Sequence, residues 1–323
     1  NKIKELNKTK IFVIGGGATG IAVINSLLIN VPNVKIYPHT RSGLIAYARP
    51  LNQKSKKEHF YKGNLLKANF ITEFLNFNNK LSYSEIREFI TTLLEYEAHH
   101  AYFKVISKVD FYSNRISCEF CHKSNLNEFK KFVKKAKSKY HYQTIKLVET
   151  FISKLEDKEK HKNFSKPLLF LFNLFCKERS IQINSLDNKR KKVLINTFFK
   201  FICFDWNKLI TPLEYMLKDK INNHEKVLKW MKYDLEHAIA GNLISPLKFV
   251  TDGVLRDCRK ELMAPLRENT TWLPKYHEVI IKSILPIHNR LADGSSLEIY
   301  KLIYENAKIG KVDFLFSSKV ETE

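Results

Sequence analysis

The chain has 323 residues, 44% of them apolar, and a formal net charge of +22 from 55 basic and 33 acidic side chains. Length and apolar share support a packed core, in one large domain or two ordinary ones, and exclude disorder as the general state. The basic excess admits an anionic partner such as nucleic acid or a membrane surface. However, Lys outnumbers Arg heavily and Asn, Ile and Phe are frequent. That bias fits AT-rich coding and favours Lys as the generic surface residue over a nucleic-acid partner.

Along the chain, residues 10–15 read as a buried parallel strand, and 19–30 as a helix with Ile21, Val23, Ile24, Leu27 and Leu28 at helical spacing. A second short strand follows at 34–37, which makes a βαβ unit. From residue 54 to 232 the sequence turns to Lys, Phe, Leu and Asn with almost no Gly. Here the periodicity predicts helices over 82–106, 127–161, 166–176, 191–204 and 212–220. Ser84 is the expected cap of the first, because Glu85 and Glu88 would lie in its first turns. Residues 225–265 read as helices broken by Gly241-Asn242, with Pro246 at a helix start. Two more helices flank a polar turn at 292–296, the second closed by Gly310. The stretch "KVDFLF" predicts a strand returning to the first sheet. The domain expectation is 1–53 as the N-terminal βαβ part, 54–232 as a helical insert and 233–323 as the return to the core. The expected fold class is α/β, a Rossmann-like dinucleotide-binding core with a large, mostly helical insert.

The motif that carries chemistry is Gly15-x-Gly17-x-x-Gly20, placed after an apolar strand and opening an apolar helix. In that setting Gly15 permits the tight turn, Gly17 lets backbone amides reach a pyrophosphate, and Gly20 lets helix and strand pack closely. The helix N-terminus adds free N–H groups and a positive dipole end. The candidate cofactor-binding residues are therefore Gly15, Gly16, Gly17, Ala18, Thr19 and Gly20. The acid that would bind ribose hydroxyls at the end of the second strand is missing; the sequence there is Tyr37-Pro38-His39-Thr40-Arg41. Arg41 at that place suits a 2′-phosphate and points to NADP.

Other motifs carry less. Cys118-x-x-Cys121-His122 matches a covalent haem pattern, but that chemistry belongs to exported proteins and no export signal is visible. Five cysteines, an odd number, fit free thiols in a reducing cytoplasm. Glu97-x-x-His100 is one copy of a di-metal half-motif that needs two, so no metal is expected. No apolar run reaches the roughly 20 residues of a membrane span.

Two separated regions resemble the bacterial FAD-NAD(P)-binding protein family. One is "GGGATGIAVINSLL" with "GLIAYAR". The other is "DLEHAIAGNLISPLKFVTDGVLRDCRKELMAPL" followed by "YHEVIIKSILPIHNRLADGSS" and "IYENAKIGKVDF". The sequence departs from that pattern at the missing ribose acid and at Gly294-Ser295-Ser296, where relatives tend to have Gly-Pro-Pro. The resemblance implies an FAD-dependent, NAD(P)H-using oxidoreductase acting on a small molecule, distantly related to flavin N-hydroxylases. It assigns no catalytic side chain, though it keeps His288-Asn289-Arg290 at a turn. Relatives run longer, so the chain is expected to be a fragment or a reduced protein. A flavin-free, NADP-dependent dehydrogenase of the opine-making kind and a non-enzymatic, basic nucleic-acid-binding protein are the alternatives.

Overall fold

The computed structural model describes residues 10–40, 45–51, 64–108, 123–155, 163–181, 187–210 and 223–316. Of these, 72% are helical and 5% lie in strands. The order is β1 (Lys10–Ile14), α1 (Ala18–Asn30), β2 (Lys35–Thr40), α2 (Ala68–Phe77), α3 (Tyr83–Ser107), α4 (Leu126–Ser153), α5 (Lys166–Arg179), α6 (Asn188–Ile202), α7 (Trp206–Ile210) and α8 (Asn223–Ala240). Then come α9 (Pro246–Lys248), running into a π-helical segment (Phe249–Leu255) and α10 (Arg256–Met263), and α11 (Leu273–Val279). A second π segment (Ile280–Ile284), α12 (Leu285–Ala292), α13 (Leu297–Lys308) and β3 (Leu315–Phe316) complete it.

The expectation of a Rossmann-like α/β core is corrected by this structure, which is a mostly helical fold. The local βαβ unit forms: β1 pairs parallel with β2, placing Phe12 opposite Tyr37 and Ile14 opposite His39. The "KVDFLF" stretch returns beside β2, with Asp313 N–H donating to the Ile36 carbonyl at 2.9 Å, but contributes two strand residues and one bridge. A doubly wound core needs strands on both sides of β1 and helices on both faces. Among the described residues β1 is instead an edge strand. Its Phe12 and Ile14 are 63% and 68% exposed. Among the described residues the rest of the chain forms helices and adds no further strand.

Contacts divide the chain into two compact units. The first comprises Asn1–Lys54, Asn207–Gly241 and Pro286–Glu323. It contains the small sheet, whose Val13 and Ile36 are buried together with Ile21 and Ile24 of α1. Buried Tyr300 and Ile303 of α13 belong to the same core, and α13 also packs on α8.

The second unit comprises Ser55–Trp206 and Asn242–Leu285. Helix α3 starts two residues earlier than the Ser84 expectation. Ser82 is its cap and forms a reciprocal capping box with Glu85, since only a residue outside the helix can accept from the third helical N–H. Of the stretch 127–161, residues through Ser153 belong to one helix, α4, capped by Asn125 with Glu128, and 156–161 lie outside the described residues. Phe129, Val133, Ala136, Tyr140, Thr144, Val148 and Phe151 make its buried stripe, at the three- and four-residue spacing that puts side chains on one face. Phe129 joins Phe70, Phe74 and Phe89; the Phe74 and Phe89 rings stack at 3.9 Å. Each such ring contributes about 1.5–3 kcal/mol by burial. A second aromatic cluster joins Phe151, Phe172, Phe175 and Phe198 from α4, α5 and α6. The 212–220 helix expectation lies outside the described residues.

Candidate functional site

The glycine turn joins β1 to α1. Gly15 has φ +111°, a conformation L side chains rarely adopt, and its N–H donates to the His39 carbonyl at 2.8 Å. A Cβ on Gly20 would lie 2.0 Å from the Gly15 carbonyl oxygen, so the helix approaches the turn as closely as glycine allows. Both glycines are demanded by the fold itself.

Gly17 is different. It caps α1 with φ −78° and ψ −175°, ordinary extended backbone, and nothing lies within 4 Å of where its Cβ would be. No side chain caps the helix, and its first turn holds no acid. The first intrahelical bond runs from Ile21 N–H to the Gly17 carbonyl at 3.0 Å. The amides of Ala18, Thr19 and Gly20 precede it and have no intrahelical acceptor. Gly17, Ala18 and Thr19 are exposed. The result is a positively polarised helix end whose first residues are exposed.

Residues 45–51 form an extended strap beside this turn. Ala46 N–H donates to the Gly16 carbonyl at 2.9 Å. Tyr47 N–H donates to the Arg290 carbonyl, Arg49 N–H to that of Ser295, and Leu51 N–H to that of Ala238. Ala48 N–H donates to the carboxylate of fully buried Asp234 at 2.8 Å. A Cβ on Gly294 would fall 1.5 Å from the Tyr47 carbonyl oxygen. The strap therefore ties the glycine turn, the end of α8 and the 290–295 turn into one local structure. These are the segments "GGGATG", "AYAR", "DLEHAIAGN" and "NRLADGSS", met far apart in the sequence.

Side chains lock the strap as well. The Tyr47 hydroxyl donates to the Leu209 carbonyl at 2.8 Å, and burial, with Asp234 adding to it, raises this phenol well above its ordinary range. Tyr300 is raised in the same way, by burial first and then by its neighbour Asp234. Arg290 donates to the Ile210 carbonyl. Burial lowers its guanidinium from the usual value. His288 is buried, with Nδ1 3.7 Å from Asp293. Of the Ser residues that depart from the family pattern, Ser296 caps α13.

Arg41 and the Cys118–His122 motif lie outside the described residues. The Glu97-x-x-His100 half-motif serves packing. Glu97 accepts the N–H groups of Asn64 at 3.0 Å, of Leu66 at 2.7 Å, and of Leu65, while His100 Nδ1 meets the Tyr140 hydroxyl at 2.8 Å. Among the described residues no group of three His, Cys, Asp or Glu side chains could hold a metal ion, and Cys176, Cys203 and Cys258 are free thiols. None of the described helices is long and apolar enough to cross a membrane. Sequence reasoning did not single out Asp234 or Tyr47 as anchors of the strap, and no spacing rule links positions 186 residues apart.

No family model matches the chain, and no curated protein matches its sequence.

Proposed function

We propose that the Gly15–Gly20 turn holds the pyrophosphate of a dinucleotide, FAD in the reading the family resemblance implies, and that the protein is an NAD(P)H-using oxidoreductase. The observation that carries this reading is Gly17. Its backbone conformation suits any residue and its Cβ position is open, so the fold does not require glycine there. A ligand brought against the amides of Ala18, Thr19 and Gly20 does require it. Thr19 is exposed on the first turn and would offer its hydroxyl to a phosphate oxygen. The ribose end of the site lacks its usual acid, since Tyr37-Pro38-His39-Thr40-Arg41 contains no Asp or Glu. A bound flavin would supply the hydride chemistry, while the chain's own part is to fix the phosphates and orient the ring.

The test is to purify the protein, record its visible spectrum and identify any bound nucleotide by mass spectrometry. The expected result is FAD, lost in a Gly17→Val variant whose melting, measured without ligand, matches the wild type. Retention of the nucleotide by that variant overturns the site. A colourless protein carrying NADP replaces the flavin reading with the flavin-free dehydrogenase.

A further inference from the structure

The lysines of α4 are sorted by the helix it packs against. Lys130 pairs with Glu88 at 2.5 Å and Lys137 pairs with Glu95, both acids belonging to α3. The inner lysines thus consume the nearby acids. Lys131, Lys134, Lys135 and Lys146 are exposed and make no ion pair with any described residue. Lys131, Lys135, Tyr142 and Lys146 sit at i, i+4, i+11 and i+15, within about 60° of one another around the helix. The stripe is about 22 Å long at 1.5 Å per residue. No acid of α4 falls between its ends, since Glu128 precedes it and Glu149 follows.

Tyr142 stands in this stripe, 53% exposed, with Lys146 Nζ 4.6 Å from its ring centroid. It is the one large hydrophobic side chain exposed on α4. A helix that lies on a membrane needs a row of apolar side chains to insert, and this face offers none beyond Tyr142. An unpaired cationic track with an aromatic ring in it is instead what the backbone and bases of a single strand require. We propose that the outer face of α4 docks single-stranded nucleic acid, its phosphates along Lys131, Lys135 and Lys146 and a base on Tyr142. This surface lies in the second unit and its assignment is independent of the dinucleotide reading.

The experiment titrates a fluorescently labelled oligo(dT) and oligo(rU) with the full chain over a range of salt. Each phosphate neutralised on a single strand contributes a slope of about −0.7 in log K against log salt. A Lys131→Ala, Lys135→Ala, Lys146→Ala variant should bind at least tenfold more weakly, with the slope flattened by about 2. Tyr142→Ala should weaken binding about tenfold and leave the slope unchanged, since stacking carries no counterion release. A control removes the same charge from exposed positions of the first unit, Lys229→Ala, Lys232→Ala, Lys301→Ala, and should bind like the wild type. All substitutions are at exposed positions, and circular dichroism checks that each variant is folded. Absence of binding, or an equal loss in the control, overturns the proposal. So does displacement of the oligonucleotide by phosphatidylserine vesicles or polyglutamate at matched charge.

Discussion

Gly20 stands so close to Gly15 that a Cβ on the former would lie 2.0 Å from the latter's carbonyl oxygen. The obstacle is backbone, which cannot rotate aside, so Gly20→Ala must push α1 away from β1. The expected cost is about 1–3 kcal/mol, as for overpacking elsewhere, read as a lower midpoint in urea unfolding. Gly17→Ala, with open space around its Cβ, should change the midpoint little. A reversed order would mean that the turn is arranged otherwise.

Glu97 is fully buried on α3 and its two carboxylate oxygens receive three backbone N–H groups from residues 64–66. Glu97→Ala leaves those donors without an acceptor in the interior. A loss of about 3 kcal/mol is expected for leaving three buried donors unsatisfied. Glu97→Gln keeps one carbonyl oxygen and should lose less. Hydrogen exchange at Asn64, Leu65 and Leu66 should accelerate in both variants.

His99 predicts acid sensitivity. Burial first, then the charges of Lys137 and His141, lower this imidazole from 6.5 to about 3. It is therefore neutral at pH 7, and the nearby Glu95 is answered by Lys137 rather than by His99. The folded protein rejects a proton that the unfolded chain accepts. The stability this group supports is complete above pH 6.5 and declines as pH falls from there towards 3, by at most about 1.4 kcal/mol per pH unit. A His99→Gln variant should show a shallower loss in denaturation midpoints measured between pH 7 and pH 5; an unchanged slope would refute the assignment.

Asp257 has the opposite sign. Burial, with Asp252 adding to it and Arg256 opposing, raises its carboxyl from 3.8 to about 6, and Oδ2 is buried without a hydrogen-bond partner. The folded state holds this proton more tightly than the unfolded chain. Its contribution is favourable below about pH 4 and is lost as pH rises to about 6. Asp257→Asn stays neutral, so its stability relative to the wild type should rise across that window. Parallel urea titrations at pH 4, 5 and 6.5 separate this from the His99 effect, because the two slopes differ in sign.

How much was legible beforehand depended on the range of the contacts involved. The Gly15–Gly20 turn was readable because it is local, with strand, turn and helix following one another within twenty residues. The α4 stripe was readable because its apolar residues repeat at helical spacing. The fold class is not legible in it, because a βαβ unit looks the same whether it opens a wide sheet or, as among the described residues, stands beside one short returning strand. The acids Glu85 and Glu88 point to Ser84 as the cap, and only the reciprocal bonds of Ser82 with Glu85 place it two residues earlier.

By itself the sequence determined the long helices of the described residues, which turn is glycine-rich and how basic the chain is, since these follow from local sterics and periodicity. The tertiary structure decided the rest. It stitched Tyr47 and Ala48 to residues near 234 and 290. Among the described residues it left β1 at the sheet edge, and it paired Glu88 and Glu95 of α3 with Lys130 and Lys137 of α4. Each of those outcomes depends on which buried faces meet. That is settled by packing between distant segments, on which neighbouring residues in the chain carry no information.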